Sequence, residues 1–356
     1  MNKNKWKKVL LFAGTFFGQV VGAGFASGQE VKQYLTDFGL ISNLAILIVI
    51  PAFAFIAYMY MDLGRRLHTD SHGPIVRYLC GNIVGRVFDY VIIFFTFGVC
   101  AIMISGGGTT LNEYFGLNPI VGRVIMVIIC ILAVSLSYEK FLAIGGILSP
   151  IIMIFTFGVG ISSGVMNIHN LQTANEAIRQ SGVTPNFSSI WVALAIYAAY
   201  NINPPVLASM GNAENDRSIL RTAAITGAVA LGISLFAINI AMLCSYSEIY
   251  TYEVPLVKLG YNISTGIGVC FAGILLSGVL TTAVSLFFAL ISRFSEHGTP
   301  KFKVWTVVIG ILAFAAGLIP FAQLVGMLYP VMGVVMGIII VCSVIDFIKI
   351  RISPKK

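Results

Sequence analysis

Long apolar runs separated by short polar connectors make up most of the chain. Leu40 to Met61 and Val87 to Ser105 each carry the roughly 20 apolar residues that a membrane-spanning helix needs. Taken in order, the runs predict ten spans, at residues 8–35, 40–62, 85–112, 118–138, 140–165, 189–211, 218–245, 257–292, 303–320 and 322–348. This is the pattern of an all-α membrane protein.

Two runs are interrupted in their middles. The first contains "FFGQVVGAGFASGQE", with Gly18, Gly22, Gly24 and Gly28 set among Gln19, Ser27, Gln29 and Glu30. The sixth reads "IWVALAIYAAYNINPPVLASMG" and holds Asn201, Asn203, Pro204 and Pro205. Adjacent prolines remove backbone donors and clash with the preceding turn. Interrupted helices leave N–H and C=O groups free, which is tolerated at membrane depth only where they line a cavity or are buried in protein. The polar stretch 166–188 separates five spans from five. An odd number of spans per half gives the halves opposite orientations. The arithmetic is that of a 5+5 inverted repeat with discontinuous helices 1 and 6, divided as 1–165, an outer loop at 166–188, and 189–356. Breaks at matching places point to a binding site near the midplane. Half-helix N-termini there suit an anionic group such as a carboxylate, and freed carbonyls suit a cation.

Composition closes off other classes. The chain is 58% hydrophobic and 10% charged, too little charge to cover a soluble domain. Its net charge of +8 does not mark a nucleic-acid binder, because the cations sit in short connectors. With the N-terminus inside, the inner segments are 1–7, 63–86, the turn at 139–140, 212–221, 293–303 and 349–356. They hold all of the 22 lysines and arginines except Lys32, Arg123, Arg179 and Lys258. The positive-inside rule then puts both termini in the cytoplasm. The first 26 residues also fit a secretory signal peptide, but the recurrence of a break in span 6 favours a true first span. Five of the six cysteines lie in apolar runs and read as packing residues. His68 and His72 lack the further ligands a zinc site needs. No nucleotide-binding or hydrolase motif follows the structural context it requires.

Glu30 is the only carboxylate deep in the first run, and an acid at that depth points to an ion partner, a proton site or a gate. Gln19 and Gln29 are polar in the same run and suit hydrogen bonds between helices. In span 3, Gly106, Gly107 and Gly108 allow close helix approach or leave room for a ligand. Tyr197 and Tyr200 precede the span 6 break. Thr281 and Thr282 in "SGVLTTAVS" offer paired hydroxyls, with bonding back to their own helix as the plainer role.

The 5+5 plan and the two breaks resemble the leucine-transporter-type fold of the amino acid–polyamine–organocation superfamily. More closely, "VVGAGFASGQE" is similar to the opening of the YkvI family of bacterial membrane proteins. The fold-level resemblance covers nearly the whole chain, and the motifs lie in spans 1, 6 and 8. It implies a secondary transporter of the bacterial cytoplasmic membrane, in which spans 1, 2, 6 and 7 rock against the rest. It implies a small-molecule substrate, an amino acid or related carboxylate, held by Gly22, Ala23, Gly24, Phe25, Gly107, Tyr197, Tyr200, Asn201 and Asn203. It also implies one sodium ion on the carbonyls of Gly18, Val21 and Gly278 and the hydroxyls of Thr281 and Thr282. Phe25 stands where some relatives place an asparagine for a second sodium, so at most one is expected. Apart from sodium no cofactor is implied, and the lipid bilayer is the other partner. Glu30 keeps proton coupling open, and a receptor that binds without transporting is the other alternative.

Overall fold

The computed structural model describes residues 3–136 and 138–352, and among them all regular structure is helical. The first run is cut twice. Helix α1 (Lys3–Val20) stops at Val21 and Gly22, α2 (Ala23–Ser27) is a single short turn, and α3 (Gln29–Tyr34) follows Gly28. Gly28 has φ 84°, a left-handed conformation that glycine adopts without a Cβ penalty. The sequence pattern predicts one break here, and the second is a finding.

A short 3₁₀ turn (Thr36–Phe38) leads to α4 (Ile41–Leu67). Next come α5 (His72–Phe115), α6 (Pro119–Leu136) and α7 (Tyr138–Met166). α5 is kinked at Gly81, so span 3 is preceded by a short helix of its own. The expected turn at 139–140 falls inside α7, and the junction at 137 lies outside the described residues. Another 3₁₀ segment (Ile168–Thr173) and α8 (Ala174–Ser181) form the loop, turning by 80° from the end of α7.

The second part of the chain holds α9 (Ile190–Tyr200), α10 (Pro204–Asn212), α11 (Arg217–Cys244), the short α12 (Tyr246–Ile249), α13 (Pro255–Ile263), α14 (Thr265–Ile291), α15 (Pro300–Ala316) and α16 (Phe321–Ile352). α9 and α10 meet at 51°. Span 8 does not start at 257 as the apolar run predicts. Ser264 is extended and its hydroxyl accepts from the Ile267 N–H, so it caps α14 and leaves α13 as a separate helix.

Five helices, α4, α5, α11, α14 and α16, are long and apolar enough to cross a membrane, and up to seven spans result if each bent pair counts as one. Outward faces across the helices carry exposed apolar side chains such as Leu10, Leu47, Ile128, Ile233, Val304 and Ile338. A protein in water does not expose this much apolar surface. The chain is a multi-pass membrane protein.

The helices pack in two sets. α4 lies along α11, and these two hold α1 and α10. α5 packs on α14, α6 and α15, while α14 also rests on α7. α16 leans on both α9 and α5. The α4–α10 contact is a backbone contact. A Cβ on Gly211 would sit 1.8 Å from the Met61 carbonyl oxygen, and one on Gly64 would sit 2.1 Å from that of Ala208. Small residues on both helices are what permit this approach.

Polar groups collect at the two ends. At one, Asp62 meets Arg65 at 2.8 Å, Arg66 at 3.1 Å and Arg217 at 3.6 Å. Arg66 also pairs with Asp346 on α16, and Lys5 on α1 pairs with Asp216 at 2.7 Å. Asp216 caps α11 as well, accepting from the Ser218 N–H. At the other end Asp37 takes the Tyr246 hydroxyl at 2.7 Å and faces Lys32 at 3.7 Å.

The glycine contact gives a direct test. Gly211→Leu should separate α10 from α4 and lower stability by about 1–3 kcal/mol, the usual cost of overpacking. A thermal melt in detergent reads this as a lower melting temperature. Gly116→Leu, at a position where an added side chain meets nothing, serves as a control for added bulk, although its φ of 68° brings strain of its own. Equal losses at the two positions would show that the α4–α10 contact is not special.

Candidate functional site

Each break has a local cause. At the end of α1 the Gly22 N–H turns back to the Val20 carbonyl at 2.9 Å, in place of Gly18, its partner in a regular helix. The Gly18 carbonyl therefore loses its helical donor. Helix order resumes when Ala26 donates to the Gly22 carbonyl at 3.0 Å. In the sixth run, Asn201 closes α9, with its side-chain amide donating to the Tyr197 carbonyl at 3.0 Å. Asn203 is extended and precedes Pro204 and Pro205, the first residues of α10. Proline is well placed at a helix start because its fixed φ suits the first turn.

Between the breaks lies a cavity of about 230 Å³. The first run supplies Gln19, Gly22, Gly24, Phe25 and Glu30, and the sixth supplies Tyr200, Asn201 and Asn203. Phe95, Val99 and Met103 of α5 face them, with Thr282 of α14 and Leu328, Tyr329 and Met332 of α16. Among the described residues the lining holds one carboxylate, Glu30, and no lysine, arginine or histidine.

Glu30 is 5% exposed. Its Oε2 accepts from the Tyr200 hydroxyl at 3.0 Å, and the Tyr329 hydroxyl is a second partner. The rings of Tyr200 and Tyr329 stack at 4.6 Å. Gly24 makes room for the carboxylate, since a Cβ there would lie 1.9 Å from Oε1. Behind this group is a layer of rings. Tyr34 lies 5.4 Å from Tyr200, 5.8 Å from Tyr197 and 4.9 Å from Phe187. The nearest cation along the helix, Lys32, is turned toward Asp37.

The predicted substrate residues divide. Gly22, Gly24, Phe25, Tyr200, Asn201 and Asn203 line the cavity together with Glu30. Tyr197 does not; it is fully buried in the ring layer, and its hydroxyl has no hydrogen-bond partner. Gly107 is a correction. Its α-carbon faces α6, where a Cβ would meet the Met126 side chain at 2.5 Å, so it serves helix packing. The side chain of Ala23 lies outside the described residues.

The predicted sodium residues are also distributed. Thr282 reaches the cavity wall. Thr281 donates to the Gly278 carbonyl at 3.0 Å, the back-bonded arrangement, and this uses one lone pair of that carbonyl. Gly278 packs against Ile152 of α7. Gly18 and Val21 sit at the α1 break. Among the described residues no group of three or more metal-binding side chains is present.

The sequence placed span 3 at the site through Gly107 but did not mark Phe95, Val99 and Met103 of α5, and it did not mark the α16 wall. Tyr329 in "LYPVMG" carried a usable signal, a tyrosine before a proline inside an apolar run. Phe95, Val99 and Met103 carried none, since they are ordinary apolar residues whose facing depends on helix rotation. Gln19 lines the cavity, and neither of its amide atoms has a partner.

No family model matches the chain. Solved structures do. They include MhsT in complex with L-phenylalanine, 17% identical with a TM-score of 0.57 over 93% of this chain and 87% of that one. A Na+-coupled sialic acid symporter in a substrate-bound outward-open state is 16% identical with a TM-score of 0.57 over 91% and 77%. The Eremococcus coleocola manganese transporter is 14% identical with a TM-score of 0.56 over 94% and 78%. The chain has the leucine-transporter-type fold that these share. By sequence it is similar to two Bacillus subtilis proteins. It is 23% identical to the uncharacterized membrane protein YkvI of Bacillus subtilis (strain 168) over 91% of each chain, and 24% identical to YyaD of the same organism over 95% and 96%.

The Glu30–Tyr200 bond can be measured by a double-mutant cycle. Tyr200→Phe should destabilise the protein by about 1–3 kcal/mol, because a buried acceptor loses its donor. The same change in a Glu30→Gln background should cost clearly less. Additive effects in thermal melts would show that the two groups are not coupled.

Proposed function

We propose that this chain is a secondary active transporter working by alternating access in the bacterial cytoplasmic membrane. The carrying observation is a cavity built where two interrupted helices meet, with a buried carboxylate on its wall. The reading includes ten spans in a 5+5 inverted repeat (1–165 and 189–356 around the loop at 166–188), with both termini cytoplasmic. α1, α4, α10 and α11 form the moving set. Their packing on one another, apart from the α5–α6–α14–α15 set, supports this division. Structural neighbours on the same fold, a Na+-coupled sialic acid symporter and a manganese transporter, support transport as the activity.

The solute is small and polar, with amino acids as the first class to test, and one neighbour was solved with L-phenylalanine bound. Gly22, Gly24, Phe25, Tyr200, Asn201 and Asn203 would contact it. Transport is driven by an ion gradient. Sodium is the favoured ion, held by the Gly18, Val21 and Gly278 carbonyls and the Thr281 and Thr282 hydroxyls. The freed Gly18 carbonyl and the position of Thr282 on the cavity wall support this set. A hydroxyl that donates to its own helix, as Thr281 does, keeps lone pairs for a cation. A specific observation favours proton coupling as the second reading, namely Glu30, a cavity carboxylate whose partners are hydroxyls.

Purified protein should melt higher in sodium than in potassium or choline at fixed ionic strength, because an ion that binds only the folded state stabilises it by mass action. Thr281→Ala with Thr282→Ala should abolish the difference. In proteoliposomes, a labelled amino acid should accumulate under an inward sodium gradient and not under potassium. No sodium effect in either assay, with uptake following an imposed pH gradient instead, would shift the coupling to protons. No gradient-driven flux of any solute would sink the transport reading.

A further inference from the structure

The polar chemistry of the cavity is one-sided. It offers one carboxylate and several neutral amides and hydroxyls, with no side chain that is positive at neutral pH. Aromatic residues line the cavity with the carboxylate: Tyr200 and Tyr329, stacked on each other and bonded to it through their hydroxyls, and Phe25 and Phe95 elsewhere on the wall. An anion beside aromatic faces is the environment that attracts an alkylammonium group, through charge pairing and cation–π contact.

The backbone does not restore the balance. An interrupted helix usually meets an anion with the free N–H groups of its first turn. At α10 the first two positions are Pro204 and Pro205, which have no N–H to give. α2, with five residues, is too short to sum a useful dipole. A solute carboxylate in this cavity would find neutral donors such as the Gln19 amide but no cationic side chain among the described residues, and would face Glu30 across a small, poorly screened space.

Glu30 in this setting is neutralised either by a proton or by a counter-charge brought by the solute. It is buried and receives hydroxyl hydrogen bonds from Tyr200 and Tyr329, while Tyr34 and Tyr197 are its other polar neighbours. Lys32 is occupied by Asp37. An ionised carboxylate without a cation is costly at such a site.

Resting on the transport reading for the purpose of the cavity, we infer that the solute is recognised through a protonated amine paired with Glu30 and flanked by Tyr200 and Tyr329, and that a carboxylate on the solute is not required. The substrate class is then small primary amines and amine-bearing solutes, and acids without an amine are rejected.

The test is binding to the purified full-length protein in detergent. Three matched sets are used as probes: phenylalanine, phenethylamine and 3-phenylpropionate; leucine, isoamylamine and 4-methylpentanoate; and alanine, ethylamine and propionate. Thermal shift and calorimetry are the readouts. In at least one set the amine should bind as well as or better than the parent amino acid, and the acid should show no saturable binding. Glu30→Gln should weaken the amine by about ten- to a hundredfold, the range for losing a charged hydrogen-bond partner. Discrimination by the wild-type protein needs no variant, so the test survives if Glu30→Gln folds poorly. Preference for the acids, no amine binding in any set, or amine binding unchanged in a folded Glu30→Gln protein would each overturn the inference. The last result is also what a Glu30 that serves proton coupling alone would give. Saturable amine binding without gradient-driven flux would leave this inference standing and remove the transport reading. Flux of acids in proteoliposomes would do the reverse.

Discussion

Backbone hydrogen bonding in a medium without water constrains everything else in this protein. A helix that stops at membrane depth leaves donors and acceptors that lipid cannot satisfy. The chain stops two helices and gives the freed groups a shared interior. Gly22 bends its N–H back to Val20, Asn201 closes α9 with its side chain, and Pro204 and Pro205 remove donors that would otherwise need partners. The cavity between the breaks follows from this. Backbone that cannot face lipid faces the cavity, and polar side chains gather beside it.

The same constraint explains the close packing elsewhere. Between apolar helices in lipid there is no hydrophobic drive to associate, so contact must come from fit and from a few polar bonds. Gly64 and Gly211 bring α4 and α10 to backbone contact. Asn239 on α11 donates to Ser42 and Asn43 of α4 at 2.7 and 3.0 Å. Asp62 ties α4 to α11 through Arg217, and Arg66 carries the tie on to Asp346 of α16. α10 is thereby fixed to a neighbour along its length, and α9 rests on α16 on the other side of the break. Asn201–Asn203 is the interruption between these two packed pieces.

Features written as backbone chemistry were legible in the sequence. Single prolines such as Pro51, Pro150 and Pro330 stay inside helices, but glycines clustered with polar residues and a proline pair after two asparagines interrupt an apolar run, so the breaks near Gly22 and Pro204 could be read directly, and with them most of one cavity wall. Ser264 was not legible, because a single serine in the apolar run from Pro255 to Ile291 leaves hydropathy nearly unchanged, yet its hydroxyl starts a new helix. Gly107 was misplaced for a related reason. Three consecutive glycines point in three directions around a helix, about 100° apart at 3.6 residues per turn. Only tertiary packing shows that Gly106 meets Phe321, Gly107 meets Met126 and Gly108 meets Arg123. Tyr329 lies far along the chain from Glu30, and no local rule connects them.

Glu30 ties together three parts of the molecule that lie far apart in the sequence. Its carboxylate rests on Gly24 in the same broken run, bonds Tyr200 at the end of α9, and meets Tyr329 on α16. Tyr200 in turn touches Tyr34 and Tyr197, which with Phe187 form the ring layer behind the site. A cation or proton arriving at Glu30 changes the acceptor strength of the oxygen that holds Tyr200. The position of Tyr200 then bears on the ring layer and on the hinge one residue later at Asn201. A bound ligand shifts a conformational equilibrium only by its difference in affinity for the two states. Under the proposed transport reading that difference would arise where the ligand's charge is met, because Glu30 also holds Tyr200, the residue before the break at Asn201.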